Sequence, residues 1–251
     1  MSNAVLDPRT AWSFYRWHLA GLALAAMVLG VVFHATRLDL VLAAPFYDSV
    51  NHTFPWRYAW VSKYLIHRYV KYAMLALGFA VWLVALRQQW RPASAGFFAS
   101  HRRRWWTVAL SFVLVPLAIG LLRRESAMHC PWDITDFGGY APYFDLFAQV
   151  PAGLRGGRCF PAAFVSSGSW TLAFALLWYP QRRRLAVAVG VATFAFAFAL
   201  GWVQQMRGAH FLSHTLWSLW ISWAVVLAVH AATGAWREGA TACAVPRGNA
   251  A

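Results

Sequence analysis

The sequence predicts an all-α protein built as a bundle of six transmembrane helices. Three observations carry this: repeated apolar stretches of bilayer length, arginine clusters in alternate loops, and acidic residues in the others. Hydrophobic residues make up 60% of the chain and charged residues 12%, with 16 tryptophans. That balance belongs to membrane proteins and excludes an ordinary soluble domain.

A helix needs about 20 residues to cross a bilayer core. The stretches run from Trp17 to Phe33, Val70 to Leu86, Trp105 to Leu122, Phe164 to Tyr179, Leu185 to Val203 and Leu216 to Thr233. The fourth is short and begins with Ser166, Ser167, Gly168 and Ser169, so its first turns are expected to face protein or water. Arg9 and Arg16 precede the first, and no small-residue cleavage site follows closely in a polar setting. It reads as a retained helix, not a removed signal peptide. Residues 1–235 form one membrane domain on this reading, and residues 236–251 a flexible tail.

The loops orient the bundle. The loop after the second stretch carries Arg87, Arg91, Arg102, Arg103 and Arg104, and the loop after the fourth carries Arg182, Arg183 and Arg184, without one acid. By the positive-inside rule these face the cytoplasm, and so do both termini. The opposite loops hold Asp39, Asp48, Glu125, Asp133, Asp136 and Asp145, six of the eight acids. The net charge of +14 is therefore topological. Arginines scattered between apolar segments form no basic domain, so nucleic acid is not expected as a partner. Cys130 and Cys159 share one outward loop, where an oxidising compartment permits a disulfide; two free thiols fit the spacing equally well.

Chemistry is expected at the outward helix mouths, in the loops 121–170 and 204–217. In QQMRGAHFLSHTLW, His210 and His214 stand four apart and share a helix face, with Arg207 one turn earlier. Four readings stay open for the pair. It is a zinc pair, which lacks an HExxH pattern and a third ligand. It is a haem site with His18, His34, His67 or His230. It is a nucleophile or acid–base imidazole beside arginine, suited to phosphate. Or both are satisfied interfacial histidines. In RGGRCFPAAFVSSGSW, Ser166, Ser167 and Gly168 sit where a helix N-terminus would present free N–H groups to an anion. In LLRRESAMHCPWDITDFGGY, Arg123 and Arg124 offer guanidinium forks to phosphate, one of them being expected to serve only as an interfacial anchor.

Taken in order, these three clusters resemble the type 2 phosphatidic acid phosphatase superfamily, with its KxxxxxxRP, PSGH and SRxxxxxHxxxD motifs. The resemblance covers roughly Arg123 to Trp217; CPWD with FGG, and CFPA followed by SSG, look like its membrane-bound bacterial branch. It implies a core of the phosphatidic acid phosphatase type 2/haloperoxidase kind. It also implies a phosphohistidine mechanism with His210 as nucleophile and His214 beside it, Arg123, Arg207 and Ser166 to Gly168 around the phosphate, and neither metal nor cofactor. The implied substrate is a lipid phosphate or isoprenoid pyrophosphate drawn from the membrane lipids, handled at the periplasmic face of a bacterial inner membrane.

The sequence departs from that pattern in all three motifs. Aligned on Pro131, the family's lysine falls on Arg123 and its arginine on Cys130. Aligned on His210, its arginine falls on Gln204, with Arg207 one turn closer, and its aspartate on His214. PSGH becomes Pro161-Ala162-Ala163-Phe164. Phenylalanine cannot protonate a leaving group, which leaves water or His129 for the task, or else a relative that binds lipid phosphate without turning it over.

Overall fold

The computed structural model describes residues 8–92, 100–146, 148 and 155–239. Among them the chain is all-helical, with two isolated β-bridges, Asp48 with Thr53 and Ile134 with Ala141. The long helices are α1 (Pro8–Ala35), α3 (Lys71–Gln89), α4 (Arg102–Arg124), α6 (Arg183–Met206) and α7 (Leu212–Ala232). A short α2 (Leu38–Ala43) follows α1, and a π-helical stretch, Val61–Val70, runs directly into α3. With that stretch counted, five helices are long and apolar enough to cross a membrane.

The fourth apolar stretch of the sequence takes a different form. α5 (Ala163–Trp178) is shorter and alternates between 3-10 and α-helical turns. Its hydroxyls explain the segmentation. Ser166 donates to the Ala163 carbonyl, Ser167 to Phe164 and Thr171 to Gly168, each at 2.6 Å and each three residues back. Bonds at that spacing suit the tighter 3-10 turn. α5 still runs the depth of the bundle. Ala162 N–H donates to the His214 carbonyl at one end, and Arg104 Nη1 donates to the Leu177 carbonyl at the other.

α4 forms the centre. Trp105, Val108, Val115 and Ile119 recur at helical spacing on one face and meet Val81 and Ala85 of α3, Trp170 and Leu176 of α5, and Ile221 and Val226 of α7. Lipid tails are as apolar as leucine, so close van der Waals packing and interhelical hydrogen bonds must hold such a bundle together. Ser169 with Ser222 at 2.6 Å and Thr107 with Thr233 at 2.8 Å supply two of those bonds, each contributing about 1 kcal/mol. α1 stands at the outside, tied by Trp220 Nε1 to the Leu22 carbonyl at 2.8 Å.

At the arginine-rich end, Glu238 accepts hydrogen bonds from the Arg103 and Arg104 N–H groups at the start of α4. A carboxylate there opposes the helix dipole. Glu238 lies on a 3-10 turn, Ala235–Gly239, where the sequence reading began the tail; residues 240–251 lie outside the described residues.

At the other end the loops that hold Asp39, Asp48, Asp133 and Asp136 meet over the α6–α7 turn. Cys130 and Cys159 are disulfide-bonded, so of the two readings the bonded one holds. The bond clamps residues 126–128 against 157–159, whose backbones also pair through Gly157, Arg158 and Cys159 N–H groups. Gly208 takes the left-handed conformation (φ 69°), and a Cβ there would meet the Phe54 ring at 2.4 Å. Lower down, a Cβ on Gly201 would lie 2.2 Å from Thr215 Cγ2, which marks a close approach of α6 to α7. Gly201→Val is expected to wedge these helices apart and lower the thermal midpoint in detergent by several degrees, about 1–3 kcal/mol of overpacking. An unchanged midpoint would contradict the contact.

Candidate functional site

A cavity of about 470 Å³ opens at the loop end between the π-helical stretch, α3, α4, α5 and the α6–α7 turn. Its wall is divided. Met74, Leu75, Phe112, Pro116 and Trp170 form an apolar half between the helices. His67, Lys71, Arg123, Gln204, Arg207 and His210 form a polar half at the mouth, and among the described residues no carboxylate lines either half. A larger groove of about 980 Å³, between α1, α6 and α7, is almost wholly apolar; its one imidazole, His18, bonds the Phe14 carbonyl.

The polar half is built largely by the α6–α7 turn. Gln204 accepts through its backbone carbonyl from Ala209 and His210 N–H, which folds the turn back over α6. Arg207 Nη1 donates to Gln204 Oε1 at 3.0 Å, and its Nε, though buried, has no partner. Gln204 Nε2 is also buried and unpartnered. An orphaned buried donor costs about 1–3 kcal/mol, so this wall is short of acceptors. Arg123 reaches across from α4, with its Nε donating to the Arg158 carbonyl at 2.6 Å. Arg124, its neighbour, is exposed and does not line the cavity.

His210 is 6% exposed and His214 wholly buried. Their Nδ1 atoms are 3.4 Å apart, a long hydrogen bond that only one of them can donate. A proton on His210 Nδ1 leaves Nε2 as the nitrogen with a free lone pair, on the ring that lines the cavity. Burial, followed by the Arg123 charge, pushes His210 down to about 3, so it is an uncharged imidazole at neutral pH. His214 Nε2 is buried without a partner.

Cys159 Sγ lies 3.5 Å from His210 Nδ1, and the ligand atoms of Cys159, His210 and His214 fall within 4.8 Å of one another. That spacing suits a metal, but the sulfur is held in the disulfide and is no thiolate. Two imidazoles remain, fewer than the three or four protein ligands zinc takes.

The structure thus brings His210, Arg123, Arg207, Ser166 and Ser167 to one cavity, with His214 behind His210. The hydroxyls of Ser166 and Ser167 point elsewhere, bonded to carbonyls of their own helix. A Cβ on Gly168 would meet Leu200 at 2.7 Å, so that glycine serves packing against α6. The helix also begins one turn earlier than these residues, at Ala163. His129 is buried against Tyr140 and Phe144 and does not reach the cavity.

Asp39 escaped sequence reasoning as a site residue, and His67 entered it only as one candidate haem ligand. Asp39, 1% exposed, accepts from Ser213 N–H at 3.0 Å and Ser213 Oγ at 2.5 Å, and so holds the first turn of α7, next to His214. His67 stacks on Phe164, with ring centroids 4.6 Å apart. Neither lies in a recognisable motif; each shows its place only after folding.

The buried titratable groups set opposing pH responses. Below about pH 6.5 the unfolded chain protonates an imidazole that folded His210 leaves neutral, so acidification costs stability, up to about 1.4 kcal/mol per pH unit. Burial raises Asp39 to about 6, although Ser213 stabilises its anion. Its contribution is present below about pH 4 and is lost as pH rises towards 6. Asp39→Asn removes that offset, so its thermal midpoint is expected to fall more steeply than wild type between pH 6.5 and 4.5; parallel curves would refute the assignment. Compared with protein-family models, curated proteins and solved structures, the chain matches none of them.

Proposed function

We propose that the protein is an integral-membrane lipid phosphatase that hydrolyses a phosphate monoester or pyrophosphate of a lipid through a phosphohistidine on His210. The observation that carries this is the divided cavity: one half apolar at helix depth, the other lined by cations and a neutral imidazole with no carboxylate. An amphiphile with an anionic head fits both halves at once. Arg207 Nε and Gln204 Nε2, buried without acceptors, are satisfied by phosphate oxygens.

In the reaction His210 Nε2 attacks phosphorus in line. Arg123 and Arg207 stabilise the equatorial oxygens, where charge develops. Arg207 takes the place the family gives to the residue at 204, since its guanidinium is held over the Gln204 amide. His214 accepts the His210 Nδ1 proton in a hydrogen bond and orients the ring, though a neutral imidazole stabilises the resulting cation less than a carboxylate does. Water then cleaves the phosphohistidine. The likeness to the type 2 phosphatidic acid phosphatases supports this reading, as do five helices of spanning length. On this reading the cavity faces the periplasm across a bacterial inner membrane and α5 makes a sixth crossing, an orientation supported by the arginine loops through the positive-inside rule.

Purified protein is expected to release inorganic phosphate from phosphatidate or an isoprenoid pyrophosphate, and His210→Ala to lose at least about a thousandfold of that rate. An unchanged rate in the variant sinks the nucleophile assignment. A second reading follows from Phe164 at the cavity wall: a relative that binds lipid phosphate without turnover. It calls for saturable binding of phosphatidate with no phosphate release.

A further inference from the structure

An alkoxide leaving group needs a proton, and Phe164 has none to give. Directly against Phe164, from the opposite wall, stands a different imidazole. The His67 ring stacks on the Phe164 ring with centroids 4.6 Å apart and planes inclined by 34°. Both rings line the cavity that holds His210. His67 lies in the π-helical stretch Val61–Val70, a geometry that recurs at functional sites because it changes which side chains face inward.

The surroundings of His67 suit proton transfer. Among the described residues it makes no hydrogen bond, so neither ring nitrogen is committed to a structural partner, and it is exposed at the open mouth, where water can return a proton. Three cations share its cavity, Lys71, Arg123 and Arg207, and among the described residues no carboxylate does. A bound phosphate dianion supplies the counter-charge for an imidazolium at His67. Lys71, four residues on and on the same helix face, is the competing donor. Its compact ammonium is a point charge suited to holding the phosphate oxygens, and Lys71 is assigned that role.

We propose that His67 is the acid–base catalyst of the site, delivering across the cavity the proton that Phe164 cannot. This rests on the phosphatase reading above. As the bond from His210 Nε2 to phosphorus forms and the phosphorus–oxygen bond to the lipid breaks, protonated His67 gives its proton to the departing oxygen. Neutral His67 then takes a proton from the water that attacks the phosphohistidine. The nitrogen–phosphorus bond breaks, phosphate leaves, and His67 is again protonated.

The test compares leaving groups. Dioleoyl phosphatidate departs as an alkoxide and needs the proton; para-nitrophenyl phosphate departs as a stable phenolate and does not. His67→Gln is expected to cut kcat on phosphatidate by about 10²–10⁴-fold and to leave para-nitrophenyl phosphate within about threefold of wild type. Adding Phe164→His to that variant is expected to recover at least about tenfold on phosphatidate. Equal losses on both esters, or no loss on phosphatidate, overturn the His67 assignment and leave the phosphatase standing. A wild-type protein that releases phosphate from neither ester overturns the His67 assignment, and one that also leaves an isoprenoid pyrophosphate intact overturns the phosphatase reading.

Discussion

The close approach of α6 to α7 governs the rest of the loop end. Gly201 lets the two helices touch through Thr215, and residues 207–211 must then reverse the chain within a short turn. The left-handed Gly208 makes that reversal, and its carbonyl accepts the Trp132 N–H at 3.0 Å, which seats the CPWD loop. The Phe54 ring packs over the same glycine, seating the loop between α2 and the π-helical stretch. Arg57 from that loop lies over the Trp132 ring at 4.2 Å. The polar wall of the cavity is thus assembled from distant segments on one narrow hairpin, and the disulfide closes the remaining side.

How much of this could be read from the sequence depends on the range of each interaction. Helical class, spanning lengths and the two charge-distinct ends were legible because they are local properties of composition. So was the gathering of His210, Arg207 and Arg123, which rests on motif order and sidedness. α5 was half legible. Its serines announced an unusual helix entry, but reading them as anion donors overlooked that a hydroxyl next to its own carbonyls bonds them first. Asp39 was illegible as a site residue, and His67 was legible only as a candidate haem ligand, because their partners, Ser213 and Phe164, are far away in the chain. Arg207 lay between these cases: its spacing from Gln204 made a substitution conceivable, and the hydrogen bond between them gives it a geometry.

The cavity is electrostatically lopsided. Cations and unpartnered donors crowd one half without a counter-charge, and in a medium of low dielectric such a group repels itself strongly. His210 responds by remaining neutral, which is also the state a nucleophile requires. This crowding of like charge works against stability, and the proposed phosphate, with more than one negative charge, would offset it.

α5 has a consequence for how the chain is built into a membrane. It is too short and too rich in hydroxyls at its loop end to be a strong insertion signal alone. Its side chains are nearly all buried by α4, α6 and α7, and Ser169 finds its partner, Ser222, only on the last helix. Residues with so little lipid-facing surface gain little from entering the bilayer before their neighbours arrive. α5 is thus expected to settle into place only once α7 completes the compartment around it.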